Sequence, residues 1–114
     1  MICDFGDVVV VPFPFVDLPI SKTRPALVLS VEAFNQANGQ TVLATITTGA
    51  GSTWPSDIAI TDRAAAGIVH ASLIRWKVFT LPNQGVLRRV GTLGRKDKAA
   101  VAKAARSTLA ASPK

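Results

Sequence analysis

Residues 6–13 read GDVVVVPF, and this stretch decides the fold class. Four consecutive valines give an extended chain two β-branched faces, which is typical of a strand that is covered on both sides. Residues 26–31, ALVLSV, have the same character, and Pro25 before them favours an extended backbone at Arg24. The two stretches predict the first two strands of a sheet, joined by a loop over residues 15–23.

Further short strands are predicted after these two, with glycine and proline turns between them. The Asn38-Gly39 turn signal precedes a strand over residues 41–48, in which Thr45 and Thr47 share a face. Other strands are predicted over residues 57–60, 68–69, 73–79 and 85–91. Because no crossover helix of adequate length lies between them, the pattern favours a small antiparallel barrel over a parallel sheet. Apolar positions three and four apart over residues 95–111 predict a C-terminal amphipathic helix.

Composition limits the possible classes of protein. The chain has 114 residues, of which 48% are hydrophobic and 18% charged, so we expect one folded domain over residues 1–114 and not a disordered chain. It lacks a membrane-length apolar run and the basic flank of a signal peptide, which predicts a cytoplasmic protein with no membrane partner. One cysteine, Cys3, and one histidine, His70, exclude an internal disulfide and a Cys/His zinc site. The acids are scattered singly, and we predict no metal and no other cofactor.

Charge is distributed unevenly along the chain. Residues 1–62 carry two basic and six acidic side chains, whereas residues 63–114 carry eleven basic side chains and one acid, Asp97. Such an imbalance indicates a surface for a polyanion, either nucleic acid or an acidic protein segment. A generic solubilising surface explains the same numbers equally well.

Among the residues of this sequence, Arg24 is the remaining candidate for a catalytic role. It is the only arginine among residues 1–62, and a planar, permanently charged guanidinium can donate two hydrogen bonds to a phosphoryl group. A solvated arginine at a strand entrance is the alternative interpretation. Thr47 is likewise consistent with an ordinary strand residue. Phosphate-binding glycine motifs and Ser/Cys–His sets at recognisable spacing are absent from the sequence.

Two segments, GDVVVVPFPF at 6–15 and SKTRPALVLS at 21–30, closely resemble the opening of the MazF/PemK toxin family. Supporting similarities lie at Phe34-Asn35, Ile46-Thr47-Thr48, Pro55, Ser72-Leu73 and Gly91-Thr92-Leu93. The resemblance implies a Src-homology-3-like barrel with a C-terminal helix, a homodimer, and the toxin of a type II toxin–antitoxin system. It also implies a metal-independent endoribonuclease for single-stranded RNA, and a cognate antitoxin whose acidic, flexible tail occupies the RNA groove.

The resemblance also implies site residues. Catalysis maps onto Arg24 and Thr47, and the loop serine of the family maps onto Ser21. RNA binding is expected at Ser21, at Lys22 and part of the basic second half through phosphate contacts, and at Thr48 and Trp54. Trp54 is an RNA candidate because bases of single strands stack on aromatic side chains; a tryptophan that caps the barrel beside Pro55 is the alternative. The expected reaction leaves a 2′,3′-cyclic phosphate and a free 5′-hydroxyl.

Two other functions stay open at this point. The first is a non-catalytic dimer that binds nucleic acid or regulates transcription, because the barrel does not itself guarantee catalysis. The second is a DNA gyrase inhibitor like CcdB, which acts through its last residues. Residues 110–114, AASPK, hold no aromatic side chain, which disfavours the gyrase function.

Overall fold

The computed structural model describes residues 1–13 and 22–110, and in these ranges six strands form one curled antiparallel sheet. The strands are β1 Asp7–Phe13, β2 Lys22–Val28, β3 Gln40–Thr47, β4 Ile58–Ala59, β5 Leu73–Pro82 and β6 Arg88–Thr92. Their order across the sheet is β4-β5-β3-β2-β1-β6. The helices are α1 Glu32–Asn38, α2 Arg63–Ala66 and α3 Arg95–Thr108, with one 3-10 turn at Asn83–Gly85. This architecture confirms the prediction of a mainly β, antiparallel fold with a C-terminal helix.

The valine run of β1 lies between two hydrophobic clusters. Val8 packs on one side of the sheet, in a cluster that includes Leu27 and Val101 of α3. Val9 and Val11 pack on the other side, in a cluster that includes Cys3. All three valines are fully buried. The double coverage predicted from GDVVVVPF is therefore confirmed, with a helix on one side and the N-terminal segment on the other.

Helices α2 and α3 lie beside the two outer strands of the sheet. Helix α2 contacts β6 so closely that a Cβ at Gly91 would lie 2.4 Å from the carbonyl oxygen of Ala65. Helix α3 is fixed to the segment after β4 by Asp97, whose carboxylate accepts hydrogen bonds from the backbone and hydroxyl of Thr61 and from the backbone of Asp62. Within the described ranges, no helix has the length and apolar character needed to cross a membrane.

Helices α1 and α2 were not predicted from the sequence. Helix α1 has seven residues and buries only Asn35, so it produces no apolar periodicity of the kind that identifies a helix. The turn predicted at Asn38-Gly39 is present as the end of α1, where Gly39 takes the left-handed conformation with φ of 67°.

The predicted start of β2 and the strand predicted over residues 68–69 were also wrong. Strand β2 begins at Lys22, within the predicted loop, because its pairing with β1 extends to the Phe13 and Lys22 partners. The strand predicted over residues 68–69 is absent from the sheet. These residues form the loop after α2, which Gly67 ends in the left-handed conformation.

Candidate functional site

A groove of about 680 Å³ opens where β2 begins and β3 ends. Among the described residues, its polar lining comprises three cations, four hydroxyls and one imidazole: Arg24, Lys77, Arg88, Thr45, Thr47, Thr48, Ser72 and His70. The described residues that line it include no acid. Cations without neighbouring acids attract anions, so the groove suits a phosphate-bearing or carboxylate-bearing ligand.

Arg24 lies within β2 as its third residue, opposite Val11 of β1. The centre of its guanidinium is 5.0 Å from the centroid of the Phe13 ring, a cation–π contact that restricts the long side chain. Arg24 is exposed and lines the groove. The strand and the ring together hold a solvent-accessible guanidinium at the groove wall.

Thr47 is the last residue of β3 and pairs with Leu73 of β5. Its hydroxyl oxygen accepts a hydrogen bond of 3.2 Å from the backbone N–H of Gly49. Because the oxygen serves as acceptor toward the protein, the hydroxyl proton remains available to an acceptor in the groove. Gly49 has φ of +78°, and a Cβ there would lie 2.8 Å from Leu73 Cδ1. A side chain at position 49 would strain the backbone and displace the end of Leu73, so glycine is favoured at the position that orients Thr47.

The structure brings Arg24, Thr47 and Thr48 to one groove, but it does not bring all the predicted site residues there. Lys22 is exposed at the start of β2, on the same side of the strand as Arg24, and does not line the groove. Ser21 lies outside the described residues.

Trp54 is also absent from the groove lining and packs instead on Arg75, whose guanidinium centre is 5.1 Å from its ring. The indole is 40% exposed, so part of its surface remains accessible beside this contact. RNA binding by Trp54 stays a prediction.

Arg75 is held by an ion pair beside the loop that follows Thr48. Its Nε and Nη2 donate to the two carboxylate oxygens of Asp57 at 3.0 and 2.9 Å, and Nη2 also donates to the carbonyl of Ser52. Asp57 in turn accepts from the backbone N–H of Trp54 at 2.8 Å. The hydrogen bonds from Arg75 lower the pKa of Asp57, and the same contact raises the pKa of Arg75. This pair fixes the loop and leaves Arg75 largely covered.

Sequence reasoning did not assign five of the polar lining residues to the site: Thr45, His70, Ser72, Lys77 and Arg88. Lys77 and Arg88 belong to the basic second half of the chain, but the sequence contains no signal that places them beside Arg24. Lys77 reaches the groove through an irregularity in the pairing of β3 with β5, where the Thr45 hydroxyl donates to the Lys77 carbonyl at 2.9 Å. In the part of the chain that the structure covers, no three His, Cys, Asp or Glu side chains form a potential metal site.

Comparison with solved structures shows the same fold in bacterial toxins. A MazE–MazF structure from Deinococcus radiodurans has a TM-score of 0.74 at 20% identity, covering 98% of this chain and 99% of that one. A structure described as an endoribonuclease in complex with its cognate antitoxin, from Mycobacterial species, has a TM-score of 0.73 at 15% identity, covering 99% and 98%. The Mycobacterium tuberculosis toxin MazF-mt6 has a TM-score of 0.67 at 21% identity, covering 86% and 90%.

A search of curated proteins gave no match. The family model for PemK-like, MazF-like toxins of type II toxin–antitoxin systems matches residues 4–109, which is nearly the whole sequence. The match includes both segments that resemble this family in sequence, residues 6–15 and 21–30. The chain therefore belongs to the PemK-like, MazF-like family of type II toxins.

Proposed function

We propose that this protein is a metal-independent endoribonuclease that cleaves single-stranded RNA at short specific sequences and thereby inhibits translation. The observation that carries the proposal is the position of Arg24 and Thr47 on one groove whose described lining is basic and hydroxyl-rich, without an acid. Membership of a toxin family and the endoribonuclease described among the structural neighbours support it.

The reaction is a transesterification within the RNA. The 2′-hydroxyl attacks the adjacent phosphorus, a bond from phosphorus to O2′ forms, and the bond to O5′ breaks. The 2′-hydroxyl gives up its proton and the leaving 5′-oxygen takes one up, so the products are a 2′,3′-cyclic phosphate and a 5′-hydroxyl. The reactants lie in one chain, and the enzyme contributes positioning and stabilisation of the charge that develops on phosphorus.

Arg24 and Thr47 have different roles in this reaction. The Arg24 guanidinium donates to the non-bridging phosphate oxygens and assists departure of the 5′-oxygen. The Thr47 hydroxyl, whose oxygen accepts from the N–H of Gly49, donates a hydrogen bond to the phosphate and orients it for attack. Lys77 and Arg88, together with Lys22 at the end of the same strand as Arg24, contact the flanking phosphates. Thr48 contacts the RNA beside Thr47, and Ser21 is assigned to RNA binding by family resemblance alone.

The protein partners follow from the same groove. We assign to the toxin a homodimeric state and a cognate antitoxin whose acidic, flexible tail competes with RNA for the cationic lining. The structures of MazE–MazF complexes among the neighbours support an antitoxin partner. The site of action is the cytoplasm, where messenger RNA is translated.

The test is cleavage of a long single-stranded RNA in EDTA by the wild type, Arg24→Ala and Thr47→Ala, with Lys103→Ala on α3 as control. Loss of one charge-stabilising donor typically lowers the rate about 100- to 1,000-fold, and we expect this loss for Arg24→Ala. Lys103→Ala should cleave like the wild type, and the fragments should carry 5′-hydroxyl ends. Equal cleavage by the wild type and Arg24→Ala would remove Arg24 from the mechanism. RNA retention without cutting would indicate the non-catalytic dimer, and double-strand DNA breaks the gyrase inhibitor.

A further inference from the structure

His70 differs in chemistry from every other described side chain of the groove. Arg24, Lys77 and Arg88 offer donors only, which suits phosphate, and the remaining polar residues are hydroxyls. A neutral imidazole presents one donor and one acceptor on a rigid plane, the combination with which base edges are recognised. Among the described lining residues, His70 alone has this combination.

The loop that carries His70 is fixed, although its side chain is exposed. At its start, Gly67 has φ of 71°, and a Cβ there would lie 2.2 Å from a carbonyl oxygen of β6. Arg63 donates to the carbonyl of Val69 at 2.9 Å, and the Ser72 hydroxyl donates to the carbonyl of His70 itself at 2.9 Å. No described residue hydrogen-bonds the imidazole. The backbone thus positions a ring whose polar atoms, as far as the described residues are concerned, make no hydrogen bond.

The residue before His70, Val69, indicates that the ligand of His70 is a nucleobase and not a phosphate or a peptide carboxylate. Val69 also lines the groove and is 82% exposed, so the loop offers apolar surface beside the ring. A nucleobase has an apolar face and a polar edge, and it can use both. Phosphates and the carboxylates of an acidic peptide need cations, which Arg24, Lys77 and Arg88 already supply.

We propose that His70 determines the sequence specificity of this toxin, by hydrogen-bonding the edge of one RNA base next to the scissile phosphate. The proposal rests on the proposed endoribonuclease function and extends it from the reacting phosphate to a base. His70 acts here as a specificity-determining residue, while Arg24 and Thr47 act on the phosphate.

The experiment compares cleavage sites of the wild type, His70→Ala, His70→Gln and Lys77→Ala on one long RNA of mixed sequence, by mapping every 5′-hydroxyl end. For His70→Ala we expect discrimination at one position beside the cut to fall about tenfold, the selectivity that one good base contact supplies. His70→Gln, which keeps a donor and an acceptor, should retain part of it. Lys77→Ala is the matched control from the same groove and should slow all sites alike, with weaker salt dependence.

The proposal is overturned if His70→Ala cleaves with the base preferences of the wild type, whether faster or slower. If the wild type cleaves no RNA, the nuclease function fails, and the role of His70 is then decided by binding. The affinities of the wild type and His70→Ala for oligo(A), oligo(C), oligo(G) and oligo(U) are then compared. An unchanged order of the four affinities refutes the proposal. It is also refuted if the substitution alters affinity for a poly-glutamate peptide and leaves the base ranking intact.

Discussion

Replacing Gly49 by alanine should damage the orientation of Thr47 more than it damages the fold. Gly49 has φ of +78°, where a residue with a Cβ costs on the order of 1 kcal/mol. The new Cβ would also lie 2.8 Å from Leu73 Cδ1, so that side chain must leave its rotamer, at a further cost of about 1 kcal/mol. We expect the free energy of unfolding to fall by about 2 kcal/mol in all.

Gly51 provides a matched control for this substitution. It also has a positive φ, of +85°, but a Cβ there would meet no atom of a non-neighbouring described residue within 4 Å. Gly51→Ala should therefore show the backbone cost alone, about 1 kcal/mol. The difference between the two variants measures the contact with Leu73, and Leu73→Ala in the Gly49→Ala background should remove most of that difference.

The Gly49→Ala and Gly51→Ala variants should also differ in the rate of RNA cleavage. Gly49 donates its N–H to the Thr47 hydroxyl, and a shift of this loop turns the hydroxyl away from the phosphate. We expect kcat for RNA cleavage to fall about tenfold in Gly49→Ala with KM unchanged, which is the signature of an interaction made in the transition state. Gly51→Ala should keep wild-type kcat. If urea unfolding and cleavage kinetics give the same values for both variants, the reasoning about Leu73 and Thr47 is refuted.

Two further predictions concern acid stability and salt. Burial raises the pKa of Asp97, but the hydrogen bonds from Thr61 and Asp62 outweigh this effect and the net pKa is lowered. The stability contributed by Asp97 is therefore present above the unfolded pKa of about 4 and is lost as pH falls through the lower folded value. For Asp97→Ala we expect the free energy of unfolding at pH 7 to fall by about 2 kcal/mol, because the N–H and O–H donors of Thr61 and Asp62 lose their acceptor. This variant should also lose less stability than the wild type when the pH is lowered. Urea titrations between pH 7 and pH 3 check this, and parallel pH profiles for the two proteins would contradict it. For RNA binding, Arg88→Ala should reduce the slope of log affinity against log salt by about one, whereas an unchanged slope would place Arg88 off the RNA path.

The sheet could be predicted from the sequence where its signals are local. The β-branched run of β1 identifies a strand buried on both faces without knowledge of its partners. The spacing over α3 identifies a helix in the same way, and Val101 is buried as that spacing requires. Helix α1 was not predicted, because seven residues with one buried side chain carry no periodic signal.

The candidate site was predictable only in part, for a similar reason. Arg24, Thr47 and Thr48 were identified through family resemblance, and they do line one groove. Lys77, Arg88 and His70 reach that groove from β5, β6 and the loop after α2, through pairings between residues distant in the chain. The contact of Trp54 with Arg75 was not predictable either, because an aromatic residue in a polar loop carries no sign of the distant residue on which it packs.

The pairing of Arg75 with Asp57 alters how the basic surplus of the chain should be counted. Their side chains are only 10% and 6% exposed, and each satisfies the other through two hydrogen bonds. Accessible protein cations that neutralise phosphates release the counterions condensed on a nucleic acid, whereas Arg75 is already neutralised within the protein. We therefore expect the proposed RNA binding to release fewer counterions, and to depend less steeply on salt, than the formal charge of residues 63–114 suggests.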